Sequence, residues 1–215
     1  MTDIELARIP AGELVRRDVR GRARGVIPIE EFAIGAYPVT EEIVAELIGE
    51  GGGHPRRPAT ALSWFRAVRL CNAASEWEGL DPVYTFEGEE VTWHRDADGF
   101  RLPTEAEWEF ACRAGSAAPQ YGPLRDVAWT ALDGVRSPQE VGAKLPNLHG
   151  LFDTLGNVWE WCWDVWDPEQ SDDVRVFRGG GFSDDAWAVR ADTRRGASAR
   201  STHADVGIRF ARSSS

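Results

Sequence analysis

Apolar positions recur at helical spacing in two stretches of the chain. From Ser63 onward, Ala67, Val68, Leu70, Cys71 and Ala74 share one face, with Ser63 placed to cap the first turn and Gly79 to end the last. A second helix is predicted from Thr104-Glu-Ala-Glu107, a capping box just after Pro103. Trp108, Ala111 and Cys112 follow at i, i+3 and i+4 and make its apolar face, with Gly115 as the stop. A shorter helix is predicted over 40–49, where Thr40 precedes Glu-Glu-Ile-Val-Ala-Glu-Leu-Ile. Between the two longer helices, Val83-Tyr-Thr-Phe86 and Val91-Thr-Trp93 flank Glu87-Gly88 and predict a hairpin. Trp159, Trp161 and Trp163 alternate, which places them on one strand face, and Trp166 lies close behind. Core burial is the reading of this cluster, a carbohydrate-stacking platform the alternative. The remaining half or so of the chain has no sustained period and must be held by tertiary contacts.

These elements mix helices and short strands without a βαβ alternation, an α+β pattern. The 215 residues, 42% of them hydrophobic, suffice for a buried core and carry no linker or repeat, so a single domain over 1–215 is expected. Gly51-Gly-Gly-His-Pro-Arg-Arg-Pro58 reads as a flexible loop inside it. The net charge of −11 argues against nucleic acid as a partner, and no apolar run is long enough for a membrane span. Met1-Thr-Asp-Ile-Glu-Leu6 lacks the layout of a signal peptide, so a cytoplasmic protein is expected.

The charge is uneven. Residues 175–215 hold eight Arg and four acids, and the chain's only Lys is Lys144, so the basic tail is entirely guanidinium. Tying an irregular tail to the acidic body is the expected use of these arginines; capture of a carboxylate ligand is the alternative. The three cysteines, Cys71, Cys112 and Cys162, form neither a CxxC nor a Cys/His cluster and are expected as buried thiols. The four histidines are scattered without iron-site spacing. Ser183, Ser198, His203 and Asp205 lack a nucleophile elbow, and Gly179-Gly-Gly181 lacks the Lys-Ser/Thr of a phosphate loop.

Longer strings carry more. Arg101-Leu-Pro-Thr-Glu-Ala-Glu-Trp-Glu-Phe-Ala-Cys-Arg-Ala-Gly115, Asn147-Leu-His-Gly-Leu-Phe-Asp-Thr-Leu-Gly-Asn-Val-Trp-Glu-Trp161, Arg178-Gly-Gly180 and Gly207-Ile-Arg209 resemble the formylglycine-generating enzyme, or sulfatase-modifying factor, family. The match runs from about Ile9-Pro-Ala-Gly12 to Arg212, with Phe32-Ala-Ile-Gly-Ala-Tyr-Pro-Val-Thr40 similar to an early strand of the family. The resemblance implies the family's variant of the C-type lectin fold, an α+β domain rich in irregular structure. In the enzymes proper, two cysteines five residues apart after the Arg-Gly-Gly strand bind copper, since soft thiolates select Cu(I). The matching positions here are Asp184 and Val189, so copper and formylglycine formation are not expected. The resemblance also implies a structural calcium held by Asp153, Gly156, Val158 and Glu160, through two carboxylates and two main-chain carbonyls.

Cys71-Asn72, Glu78-Gly-Leu80, Val83-Tyr-Thr85 and Val91-Thr-Trp93 resemble a bacterial branch that includes variable proteins of diversity-generating retroelements, whose C-terminal stretch binds ligand. In those proteins the varied codons began as Asn. Here the interval from Gly181 to Val206 contains no Asn, many residues that adenine-directed change of Asn codons yields, and Trp187, which such change does not yield. The expectation is a non-oxidase module that binds an unknown protein or small-molecule ligand on 183–205. Trp187 would anchor it, Arg195 and Arg200 would donate, and Asp184, Asp185 and Asp205 would accept, with Ser183 and His203 beside them. The alternative is an enzyme of the same family that carries out a different oxidation through non-cysteine residues, with Asp184 or His203 the candidates.

Overall fold

The computed structural model describes residues 4–17, 23–49 and 53–214. Residues 51–52 of the glycine-rich loop and the arginine-rich segment at 18–22 lie outside the described residues.

Four short strands open the chain: β1 (Leu6–Ile9), β2 (Gly12–Arg17), β3 (Ala23–Ile29) and β4 (Phe32–Gly35). Helices α1 (Glu41–Ile48) and α2 (Trp64–Trp77) follow, then β5 (Tyr84–Glu87), β6 (Glu90–Trp93) and β7 (Phe100–Arg101). After α3 (Glu105–Arg113) and the single turn α4 (Leu124–Val127), the chain runs irregularly to β8 (Trp159–Asp167) and β9 (Ser171–Arg178). The tail adds β10 (Arg194–Ser198), β11 (Val206–Gly207) and β12 (Ala211–Ser213).

All three predicted helices are present, and each starts where a side-chain oxygen satisfies an amide. The Thr40 hydroxyl accepts from Ile43 N, Ser63 from Arg66 N, and Thr104 forms the full capping box with Glu107. The stop of α3 differs by one residue: Ala114 takes the left-handed position, with φ +44, ahead of Gly115. The hairpin turn also sits one residue later than predicted. Glu87 pairs with Glu90, so Gly88-Glu89 form the turn and glycine takes the position at φ +62.

Two four-stranded sheets order the strands as β1-β4-β12-β7 and β10-β9-β8-β11. The first closes the chain on itself, because β12 lies antiparallel between β4 and β7. The second is antiparallel except for β11, which runs parallel to β8. Alternation in β8 predicted one buried face, yet both faces are buried over its first half: Trp159 and Trp161 on one, Glu160 and Cys162 on the other. Trp163 is partly buried and stacks on Tyr84 with centroids 5.1 Å apart, whereas Trp166 surfaces beneath the Arg194 guanidinium. Most of the tryptophan cluster is therefore core. No helix among the described residues is long and apolar enough to cross a membrane.

The arginine tail is tied to the acidic body as expected. Arg178 reaches Glu109, Arg194 reaches Glu105, Arg209 reaches Glu160 and Arg212 reaches Asp98. Helical spacing puts Glu105 and Glu109 on the same face of α3 as Trp108 and Cys112, at i, i+4 beside i+3 and i+7, where a carboxylate needs a partner. Both are buried, because guanidinium groups arriving from 69 or more residues away neutralise them.

Candidate functional site

Beyond Arg178-Gly-Gly180 the chain leaves β9 and wraps over the end of β8. Asp184 is the hub of this turn. One carboxylate oxygen accepts from Gly181 N at 2.8 Å and from the Trp159 indole N–H at 2.7 Å. The other accepts from Arg195 Nη2 at 2.9 Å, and that guanidinium lies 4.5 Å over the Trp159 ring. Asp205 flanks the same place, with a carboxylate oxygen 3.1 Å from where a Cβ on Gly181 would stand. Asp184, Arg195 and Asp205 are thus brought together around Trp159, a residue that alternation marked only as core.

The other predicted tail residues are apart from this hub or turned elsewhere. Arg200 pairs with Glu89 in the β5–β6 turn and lies 5.8 Å over Phe65. His203 Nε2 is 3.1 Å from the Ser201 hydroxyl. Trp187 is 74% exposed and its indole N–H donates to Asp185 at 3.2 Å, which orients the ring and leaves its faces free. Ser183 and Asp185 are exposed beside it in sequence. The donors predicted for ligand, Arg195 and Arg200, already hold carboxylates of this chain, as do Arg190 with Asp192 and Arg194 with Glu105. They shape the surface; the groups left open on it are an indole face, a hydroxyl and carboxylate oxygens.

Of the two positions that match the copper-binding cysteines, Asp184 spends its oxygens on protein donors and Val189 is fully buried. Val189 belongs to the same buried cluster as Cys112 and Cys162, so these thiols pack in the core that underlies the position and are not remote from it. Burial pushes the Cys112 thiol up to about 12 and those of Cys71 and Cys162 well above the ordinary cysteine range. All three are therefore protonated at neutral pH, the form that neither grips Cu(I) nor reacts. A thiol reagent such as DTNB is expected to leave the native protein unlabelled at pH 8 and to count three thiols in denaturant. Rapid labelling of one native thiol would contradict this burial.

Of the residues expected around calcium, Asp153, Gly156 and Val158 sit in the turn before β8 and Glu160 in β8 itself, and the two carboxylates are occupied. Asp153, buried with φ +56, accepts from Gly142 N at 2.7 Å and from the Asn157 amide at 3.3 Å. Burial, the largest influence on it, raises its carboxyl to about 6. Glu160 accepts from the Trp108 indole at 2.6 Å, and Arg209 spans both its oxygens at 2.7–3.1 Å. Gly156 donates its N–H to Gly179 O, and Val158 is buried in the core. Among the described residues no group of three or more His, Cys, Asp or Glu is placed to hold a metal. An ion bound to Glu160 would face the Arg209 guanidinium, so these side chains as arranged do not fit calcium. Sequence reasoning missed Arg209 as a partner of Glu160; the paired Gly-Ile-Arg and Trp-Glu-Trp strings were on view, but 49 residues separate the two charges.

The chain matches the model of the sulfatase-modifying factor enzyme 1-like domain over residues 3–214. It is 31% identical over 199 residues to the chaperone protein LppX of Paenibacillus barcinonensis, an alignment that covers 73% of this chain and 71% of that protein. It is 28% identical to the inactive C-alpha-formylglycine-generating enzyme 2 of Mus musculus, over 98% of this chain and 86% of that one. Among solved structures, Treponema denticola variable protein 1 superposes with a TM-score of 0.88 at 25% identity, covering 97% of this chain and 95% of the other. Fold, motifs and family match agree: this chain belongs to the formylglycine-generating enzyme, or sulfatase-modifying factor, family.

Proposed function

We propose that the protein is a binding module that uses this scaffold without its oxidase chemistry, and that it meets a protein or small-molecule ligand on residues 183–205. The observation that carries the reading is Trp187. It is the most exposed large aromatic side chain among the described residues, and it stands on the tail with its N–H held by Asp185. Aromatic anchors of this kind carry much of the energy of interfaces. Ser183 and Asp185 supply acceptors close to it in sequence, and Asp205 supplies another at the hub that Asp184, Arg195 and Trp159 hold rigid. Likeness to a variable protein over nearly the whole chain supports the reading, as does likeness to an enzyme described as inactive. Retroelement diversification of the tail is the narrower form of the proposal; a template repeat and a reverse-transcriptase gene beside the coding sequence would support it.

Two measurements test the module. Incubation with a cysteine-containing sulfatase peptide, copper and oxygen is expected to leave the peptide mass unchanged; a loss of about 18 Da, the signature of formylglycine, overturns the non-oxidase claim. In a screen of defined peptides and glycans, Trp187→Ala is expected to weaken any saturable ligand by at least about tenfold, with Tm unchanged within about 1 °C. A ligand that binds the variant as tightly as the parent removes the tail from the proposal.

A further inference from the structure

We infer that the cavity between the start of the chain, α1 and the loop 53–58 is a binding site for an alkylammonium group, the cation that ends a lysine side chain or a free aliphatic amine. The cavity holds about 190 Å³, and no residue of 183–205 lines it, so it is a second site beside the tail surface proposed above. Ile43, Pro55, Val141 and the Tyr37 ring give it apolar walls, while Glu5, Glu42 and the Tyr37 hydroxyl give it oxygens. The other two lining residues are already engaged. Thr40 Oγ1 caps α1 by accepting from Ile43 N. Arg56 Nη2 donates to Val141 O at 2.9 Å, and its Nε stands 3.7 Å from Glu140. With Arg56 matched by Glu140, Glu5 and Glu42 are the excess charge of the lining, and it is negative.

Chemistry selects the occupant. An ammonium carries three N–H donors and no acceptor, so two carboxylates and a phenol suit it, and its methylene stem can lie along the apolar wall. An anion would meet the two carboxylates. Calcium takes six to eight oxygens, and among the described residues no group of three or more His, Cys, Asp or Glu is placed to hold a metal. The walls are also set in advance, which lowers the cost of binding. Tyr37 stacks on Phe152 with centroids 4.9 Å apart, and Gly142 packs so close to its edge that a Cβ there would stand 2.8 Å from Cε1. Burial raises the Tyr37 phenol above its ordinary range, with Glu5 adding to the rise and Arg56 opposing it, so it stays neutral and can accept. Glu5 is fixed by its main chain, whose O accepts from Ala36 N at 2.8 Å. The loop wall is tied to α1: His54 N donates to Glu41 Oε2 at 2.7 Å, and Glu41 N donates to Arg57 O at 2.9 Å.

The test titrates the full chain with n-butylammonium, whose stem is that of a lysine side chain, and follows the probe by saturation-transfer NMR. Saturable binding in the millimolar range is expected, because Glu5 is exposed and Glu42 half-buried, where ion pairs are weak. n-Butanol, with the same stem and no charge, and butyrate, with the opposite charge, should bind at least about tenfold more weakly. Glu5→Gln and Glu42→Gln should each weaken butylammonium by about threefold, and the double variant by about tenfold, with Tm within about 2 °C of the parent. Nα-acetyl-lysine methylamide separates the two sources: tighter binding than butylammonium assigns a lysine side chain of a protein, equal or weaker binding a free amine. The inference is overturned if butylammonium does not saturate the parent by about 50 mM, if n-butanol binds as well, or if the double variant binds as tightly as the parent. Should the double variant not fold, undiminished binding by both single variants overturns it equally.

Discussion

Replacing Glu109 with alanine is expected to lower Tm by about 10 °C, equivalent to about 3–5 kcal/mol for the loss of one member of a buried ion pair. The reason lies in Arg178, which is 1% exposed and bonds Glu109 at 2.5 Å. Its other acceptors are the carbonyls of Thr193 and Ala191 at 2.8 Å, with a Glu105 oxygen at 3.7 Å. Without Glu109, a buried guanidinium keeps only a distant countercharge, and Arg113 loses its partner as well. Glu109→Gln, which retains an acceptor, should fall between the alanine variant and the parent. Arg8→Ala is the contrast, since its pair with Glu31 joins side chains that are 80% and 44% exposed. That change should stay within about 0.5 kcal/mol. Denaturant unfolding of the three variants checks the ranking; a Glu109→Ala protein as stable as Arg8→Ala would refute the claim that this network holds the tail.

Gly156→Ala is expected to be the most damaging methyl group that can be added near the candidate site. Gly156 has φ +72, a conformation that costs an L-residue about 1–2 kcal/mol. The new Cβ would also stand 2.2 Å from Trp129 O and 3.0 Å from Trp129 N and C, which are backbone atoms without freedom to yield. They cannot move because Trp129 O also accepts from Asn157 N at 2.9 Å, and Gly156 N donates to Gly179 O at 3.0 Å. The total should exceed about 4 kcal/mol, in the range where single substitutions prevent folding. Gly88→Ala separates the two causes, because its φ is +62 but nothing lies within 4 Å of the added atom. It should show only the conformational cost of about 1–2 kcal/mol. Equal losses at the two positions, measured as Tm or as soluble yield, would show that the contact with Trp129 contributes nothing.

Parts of this molecule were legible residue by residue. The caps at Thr40, Ser63 and Thr104 start helices because each oxygen satisfies an amide three residues away, a relation wholly contained in the local string. The hairpin at 84–93 was readable for the same reason, apart from one residue at the turn. The absence of sulfur at Asp184 and Val189 was equally plain, since it concerns residue identity and not placement. Burial on both faces of β8 was not readable, because alternation reports one face and cannot show that charges from the tail will cover the other.

The sequence by itself determined the family, the three helices, the core role of most of the tryptophan cluster and the general use of the basic tail as a tie to the acidic body. Only the tertiary structure decided which cation meets which carboxylate. That choice made Asp184 a hub for Trp159 and Arg195, paired Arg200 with Glu89, and set Arg209 against Glu160. The physical reason is range. Caps and periodicity act within a few residues, whereas a buried charge takes whichever opposite charge the finished fold delivers: Glu160, Glu109 and Glu105 meet Arg209, Arg178 and Arg194 from 49, 69 and 89 residues away.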